Sequence, residues 1–463
     1  MTQFTFSPDF MFGAATASAQ IEGASHQDGK TDSIWDTFCR ESGRIVDKSD
    51  ISIACDHYNK MEDDVRLMSE LNLQAYRFSL SWPRIRPDDK DFNPKGIDFY
   101  SRLIDELLAH NITPWITLYH WDLPQTLQDK GGWANRDTAY RFAEYSSYVY
   151  DKLGDRVQHW TTLNEPWCSA FLGYETGVHA PGRQSTKEAI AAAHHLLLAH
   201  GLAAEEIRNK ATSLQQEVSL GITLNFTSTH PADPDNERDV ELARILDGRH
   251  NRLFIEPLLR GAYPKDMEQY YEPCGLGKLI QEGDLDIIST PIDVMGINYY
   301  TGMDVRATEN FDPQNPEAAD QVEEVSRGLP VTDMGWEVYP EDFEAMLVRL
   351  SEEYAKPAQV PMVITENGAA YVDKPDSNGY VDDTENRLHY IHEHLGAIYR
   401  AIERGADIRG YFVWSLLDNF EWSFGYTKRF GIVRVDFETL ERIPKASARW
   451  FANVAKTGTI KRS

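Results

Sequence analysis

Residues 113–121 read TPWITLYHW: a short apolar, β-rich run from Thr113 to Tyr119 that ends on His120 and Trp121. On its N-terminal side Leu103, Ile104, Leu107 and Leu108 recur at spacings of three and four, and on its C-terminal side Phe142, Tyr145, Val149 and Leu153 do the same. A run of that length between two segments of helical period is a strand between two helices. Outward in both directions the pattern repeats. Strands are expected at Phe10 to Thr16, Ala75 to Leu80, Trp160 to Asn164, Leu220 to Asn225, Val294 to Asn298, Met362 to Thr365 and Ile408 to Trp414, which with the first makes eight. A further helical stretch runs through Leu388, Ile391, Leu395, Ile398 and Ile402, and Gly154 and Gly405 stand where helix C-terminal caps belong.

Eight βα units joined by right-handed crossovers close into a (β/α)8 TIM barrel of the α/β class; a doubly wound open sheet is the alternative. At about 150 residues per domain the length suggests three domains, but α/β barrels wrap longer chains around one core. No internal repeat, low-complexity tract or linker divides the chain, so residues 1–463 are expected to form a single barrel domain. The surplus length falls in polar, Pro-containing stretches at Pro231 to Arg238, Ala307 to Asp333 and Asp373 to Asp383, expected as long βα loops around the active site.

A composition of 41% hydrophobic and 26% charged residues excludes disordered, fibrous and membrane classes. With 46 basic against 73 acidic residues the formal charge is −27, which repels polyphosphate and anionic lipid. No Lys/Arg run offsets it, so neither nucleic acid nor a membrane is an expected partner, and a small neutral molecule is. Assembly into a homo-oligomer stays open. The four cysteines, Cys39, Cys55, Cys168 and Cys274, form no C-x-x-C pair, and the N-terminus MTQFTFSPDFMFG has neither the basic nor the apolar region of a secretory leader. A cytoplasmic protein with free thiols is expected, which makes Asn111-Ile-Thr113 and Asn225-Phe-Thr227 chance matches to the glycosylation sequon.

Reactive residues of such barrels gather at the C-terminal ends of the strands. There the sequence places Gln20, Arg77, Tyr119-His120-Trp121, Asn164-Glu165, Asn298-Tyr299-Tyr300, Glu366-Asn367 and Trp414, with Glu421 and Trp422 in the loop beyond. Closure of the barrel brings Glu165, after the fourth strand, to face Glu366, after the seventh. Two carboxyls across a cleft are what glycosidic bond cleavage requires: one protonates the leaving oxygen, and the other stabilises or attacks the oxocarbenium-like centre. Indole planes with amide and carboxylate acceptors suit a neutral sugar, which offers apolar C–H faces and hydroxyls. A lone acidic residue at a strand end is more often simply solvated; Trp, His, Asn, Gln and Tyr at the neighbouring ends shift the balance. Arg77 reads equally as a structural counter-ion and as part of the chemistry, and both can hold. Trp82, Trp115 and Trp160 are expected in the core.

No G-x-S-x-G elbow, Walker loop or H-E-x-x-H helix is present, and Gly275-Leu-Gly277 lacks the third glycine and the flanking strand of a dinucleotide fingerprint. No cofactor is expected. His194, His195, His200, His389, His392 and His394 lie on helical stretches, where hydrated faces are expected rather than a metal site, and no metal is assigned. Cys168 follows Glu165 closely but lacks the His-Asn partners of a thiol nucleophile, and is expected to pack.

FMFGAATASAQIEG at 10–23, TLNEPW at 162–167, ITENG at 364–368 and WSLLDNFEW at 414–422 are signatures by which the chain resembles glycoside hydrolase family 1, and within it the bacterial β-glucosidases, over essentially its whole length. The resemblance implies a retaining double displacement with Glu366 as nucleophile and Glu165 as general acid and then base, the two carboxyls about 5 to 5.5 Å apart. It implies that Gln20, His120, Asn164, Glu421 and Trp422 hold the glycone hydroxyls and that Trp414 lies against the sugar. Asn298 and Tyr300 match the family's N-x-Y, in which the Tyr hydroxyl touches the nucleophile. Arg77 would keep Glu366 ionised, Trp121 would support the site, and Trp336 and Trp167 would shape the aglycone side. Such roles need the Glu165 pKa raised by burial and by the charge of Glu366. Relatives acting on 6-phosphorylated glycosides replace the Glu421-Trp422 corner with residues that bind phosphate, and a carboxylate there would repel a dianion, so an unphosphorylated glycone is expected. The expected activity is hydrolysis of terminal β-D-glucosyl residues from aryl glucosides, cellobiose and short oligosaccharides, as in cellulose and polysaccharide degradation. Glucose against galactose or fucose stays open, a transglycosylase is the close rival, and a silent sugar-binding barrel is the distant one.

Overall fold

The computed structural model describes residues 3–317 and 320–461. Its centre is a ring of eight parallel strands: β1 (Met11–Ala15), β2 (Ala75–Ser79), β3 (Thr113–Tyr119), β4 (His159–Asn164), β5 (Ser219–Pro231), β6 (Val294–Ala307), β7 (Met362–Asn367) and β8 (Ile408–Trp414). Each pairs in parallel with its sequence neighbour, and β8 pairs with β1 from Gly410 opposite Met11 to Trp414 opposite Ala15. That last pairing closes the barrel and excludes the open sheet. Helices such as α1 (Pro94–Ala109), α2 (Asp137–Leu153), α3 (Thr186–Leu214) and α4 (His389–Glu403) surround it, burying most of the apolar positions read from the sequence, although Leu108 on α1 is exposed. Gly154 caps α2, and Gly405, at φ 93°, follows α4.

Six strands match their expected bounds closely, whereas β5 and β6 run on together, from Ser228 opposite Gly302 to Pro231 opposite Val305. Beyond them a short strand, Val322–Val325, pairs antiparallel with Asp304 to Ala307, inside a stretch expected to be loop throughout. These extensions lie past the barrel core, so their polar residues alternate without the apolar run that betrays a buried parallel strand.

The barrel interior is filled in layers. At the lower level Ala15, Ala75, Trp115, Val294, Val363 and Phe412 form one buried apolar cluster. Small residues make room for the large ones: a Cβ on Gly13 would stand 2.6 Å from the Phe412 ring. Trp115 thus fills the barrel, while Trp82 and Trp160 belong to the core between strands and helices. Above this layer the inward side chains turn polar, with Arg77, Thr223, Asn298 and Thr365 joined by hydrogen bonds. Register shifts mark the upper ends of β4 and β7. At β7 the bulge turns both Thr365 and Glu366 inward, toward Asn298 and Arg77 respectively.

The helical histidines correct one expectation. His194, His195, His200 and His394 are buried rather than hydrated, and each is hydrogen-bonded: to Asp284, to the Trp133 carbonyl, to Thr162 and to the Tyr390 carbonyl. Among the described residues no group of three or more His, Cys, Asp and Glu is arranged to hold a metal ion, and no helix is long and apolar enough to cross a membrane.

The loops after β7 and β8 are clamped by buried charges. Lys445 Nζ lies 2.6 Å from Asp373 and 2.8 Å from Asp418, and Arg429 reaches Asp418 at 2.7 Å. Arg387 bridges Asp373 and Asp383 within the same cluster. Removing one partner from such a buried network strands the opposite charges. Lys445→Met is therefore expected to cost about 3 to 5 kcal/mol of stability in urea unfolding, and a loss below about 1 kcal/mol would contradict a structural role for the cluster.

Candidate active site

Most residues singled out at the strand ends come to the same mouth of the barrel, and hydrogen bonds join many of them directly, but Tyr119, Tyr299 and Asn367 turn the other way, into the core between barrel and helices beside Trp133, Phe343 and Tyr390. Arg77 on β2 is wholly buried and donates through Nη1 to Glu366 Oε1 at 2.7 Å and through Nη2 to Asn164 Oδ1 at 2.7 Å. Tyr300, just past Asn298 on β6, donates its hydroxyl to Glu366 Oε2 at 2.8 Å. Both oxygens of Glu366 therefore accept from donors that favour its ionised form. Asn298 Nδ2 donates to Glu165 Oε1 at 2.6 Å and to Asn164 Oδ1 at 3.1 Å, so Asn164 and Asn298 link the two carboxyls through Arg77.

The two carboxyls differ electrostatically. Burial, reinforced by the charge of Glu366, pushes Glu165 up to about 7, and the Asn298 and Cys168 hydrogen bonds and Arg77 only partly offset it. Burial also lifts Glu366, but there Arg77 and the Tyr300 hydroxyl pull the other way. Contact with a cation thus distinguishes Glu366, whereas burial and the charge of Glu366 push Glu165 toward holding a proton.

A second group of side chains presents polar atoms with no protein partner. Gln20 donates its amide to Asn419 Oδ1 at 3.1 Å and to the Phe420 carbonyl at 2.7 Å, leaving its Oε1 buried and free. His120 accepts from Asn164 Nδ2 at 3.0 Å through Nε2, and burial holds the ring neutral, so the hydrogen sits on Nδ1, which is buried without a partner. Glu421 Oε2 is the third such atom. An acceptor, a donor and a carboxyl, all buried, match groups that both donate and accept, as sugar hydroxyls do.

Aromatic rings enclose these atoms. The His120 ring lies 5.7 Å from Trp414 and 5.9 Å from Trp422, and Trp121 lies 4.5 Å from Trp422 while donating its indole N–H to the Asn164 carbonyl at 2.9 Å. Trp336 sits 5.5 Å from Tyr300, and Trp167 stacks on His250 at 4.4 Å, further out. Trp121, Glu165 and Trp422 have positive φ of 79°, 47° and 48°, a strained backbone held by its surroundings.

Glu421 brings a correction. Burial, with the charges of Glu366 and Glu165, pushes it up to about 8, so in the free site it holds its proton near neutrality. Repulsion of a 6-phosphate by ionised Glu421 is thus not available; the anionic partner nearby is Glu366. Sequence reasoning also missed Asn419, which fixes Gln20, the Thr223–Thr365–Asn298 chain beneath the site, and the contact of Cys168 Sγ with Glu165 Oε2 at 3.1 Å. Only the proximity of Cys168 to Glu165 in the chain could have signalled that contact.

Comparison with known proteins agrees with this geometry. The sequence profile of glycosyl hydrolase family 1 matches residues 2–459. Beta-glucosidase A of Acetivibrio thermocellus is 43% identical over 98% of this chain and 99% of its own. A bifunctional beta-D-glucosidase/beta-D-fucosidase of Bifidobacterium breve is 45% identical over 96% and 97%. The crystal structure of a psychrophilic beta-glucosidase from Micrococcus antarcticus, 47% identical, superposes with a TM-score of 0.92 over 99% of this chain and 100% of that one. Matched from end to end in sequence and in backbone, the chain belongs to glycosyl hydrolase family 1.

Proposed function

We propose that the chain acts as one domain and is a retaining β-glucosidase, releasing terminal β-D-glucose from aryl glucosides, cellobiose and short β-gluco-oligosaccharides. The observation that supports this most is the contrast between the two carboxyls: Glu366 is held by Arg77 and Tyr300, while Glu165 is pushed up to about 7. Glu366 attacks the anomeric carbon as Glu165 gives its proton to the departing oxygen; the glycosidic C–O bond breaks and a glycosyl ester forms. The ester removes the charge of Glu366, so Glu165 settles as a carboxylate and becomes a base. It then takes a proton from water as the water oxygen attacks the same carbon, the ester bond breaks, and both carboxyls return to their starting states.

Gln20, His120, Asn164, Glu421 and Trp422 are proposed to bind glycone hydroxyls, with Trp414 against the sugar and Trp336 and Trp167 on the aglycone side. The Acetivibrio and Micrococcus relatives are named beta-glucosidases, which favours glucose. The Bifidobacterium relative is named for fucosidase activity as well, which favours a glycone site tolerant of β-fucosides and β-galactosides. An unphosphorylated glycone is proposed because the charge of Glu366 acts on the buried corner that Glu421 occupies. The four cysteines are free thiols, as a reducing compartment such as the cytoplasm requires.

Three measurements test this reading. Glu366→Ala should lose essentially all turnover while keeping its circular dichroism spectrum; near-normal activity would refute the nucleophile. In Glu165→Ala, glucosides with poor leaving groups should slow by about 10²- to 10⁴-fold, and dinitrophenyl glucoside far less in its first step. Equal losses for both would refute the acid. A panel of chromogenic β-glycosides should rank glucoside first and leave 6-phosphoglucoside unhydrolysed, and the reverse order would refute the proposed glycone.

A further inference from the structure

Both oxygens of Glu165 have a hydrogen-bond donor, and the two donors differ in kind. Oε1 faces Asn298 Nδ2 at 2.6 Å. That amide cannot turn over, because Asn298 Oδ1 is occupied by the Thr365 hydroxyl at 2.7 Å and Nδ2 also donates to Asn164. A proton on Oε1 would therefore meet an N–H head-on. Oε2 faces the Cys168 thiol at 3.1 Å. A thiol is a rotor with one weak donor and a sulfur that also accepts weakly, so it tolerates either protonation state of its neighbour.

The fold fixes this contact. Cys168 opens a π-helical segment, Cys168–Glu175, directly after the loop carrying Glu165, and is buried. Burial and the neighbouring carboxylates raise its thiol well above the usual range, so it stays protonated and serves as neither nucleophile nor anion. The other ionisable groups acting on this corner are Glu366 and Arg77, with Tyr300 and Glu421 on the far side of the pair.

We propose that Cys168 is a positioning residue for proton transfer: with Asn298 occupying Oε1, the transferred proton resides on Oε2 of Glu165, and the Cys168 thiol stabilises the carboxylate there by donating and frees the proton by rotating away. The assignment rests on Glu165 being the acid and base. A serine at 168 would donate a stronger, charge-assisted hydrogen bond and hold the carboxylate; an alanine would donate none.

The test is the pH dependence of kcat/KM for phenyl β-glucoside, whose basic limb reports loss of the Glu165 proton in the free enzyme. Relative to the wild-type limb, Cys168→Ala should move it to higher pH and Cys168→Ser to lower pH, each by about half a unit or more. A merely structural cysteine would lower stability or raise KM and leave the limb in place, and wild-type limbs in both variants would overturn the proposal. Movement of both variants in the same direction would overturn it too. The leaving-group test on Glu165→Ala separates the two assignments: if that test holds and the limbs do not move, Cys168 alone is wrongly placed.

Discussion

Arg77, wholly buried inside the barrel, is the contact on which the site depends. Its guanidinium touches the Glu366 carboxyl, the Asn164 amide oxygen and the Thr365 carbonyl, and so ties together the ends of β2, β4 and β7. A carboxyl as buried as Glu366 would otherwise keep its proton, since desolvation disfavours the charged form. The same burial acts on Glu165, whose carboxyl meets Asn298 and Cys168 instead of a cation, and with the charge of Glu366 it pushes that group up to about 7. One guanidinium thus makes two chemically alike residues unlike.

The layering of the barrel sets where that guanidinium can stand. Below it, Trp115 and Phe412 fill the interior against Ala and Gly positions. Around it, Thr223, Thr365 and Asn298 satisfy one another and fix the amide that faces Glu165. Above it, the bulged end of β7 and the positive φ of Glu165 turn both carboxyls inward. The clamp of Lys445, Arg387 and Arg429 on Asp373, Asp383 and Asp418 then anchors the two loops that follow β7 and β8. Asp418 is next to Asn419, which orients Gln20, so this clamp reaches the Gln20 corner of the site through a single residue.

The barrel was legible because strands buried on both faces cannot hide their apolar runs, and the segments between them keep a helical period. Its strand ends were legible for the same reason, and Arg77, which the sequence left between counter-ion and chemistry, proves to be a buried counter-ion in direct contact with Glu366. What escaped depends on pairings distant in sequence. The outer halves of β5 and β6 are held by each other rather than by the core, so their polar residues carry no strand signal. The helical histidines read as hydrated because nothing local announces Asp284 or Thr162 as partners. The protonation of Glu421 follows from two carboxyls remote in the chain and from burial, neither of which a motif encodes.

The central claim is that Glu366 bonds covalently to the sugar while Glu165 serves both half-reactions, and the configuration of the released sugar tests it most directly. Proton NMR during the first minutes of aryl β-glucoside hydrolysis, before mutarotation intervenes, follows the anomeric signal of the product. Two inversions at the anomeric carbon predict that β-glucose appears first and the α anomer grows in only by mutarotation. Initial release of α-glucose would mean direct displacement by water and would contradict the assignment of Glu366 as nucleophile.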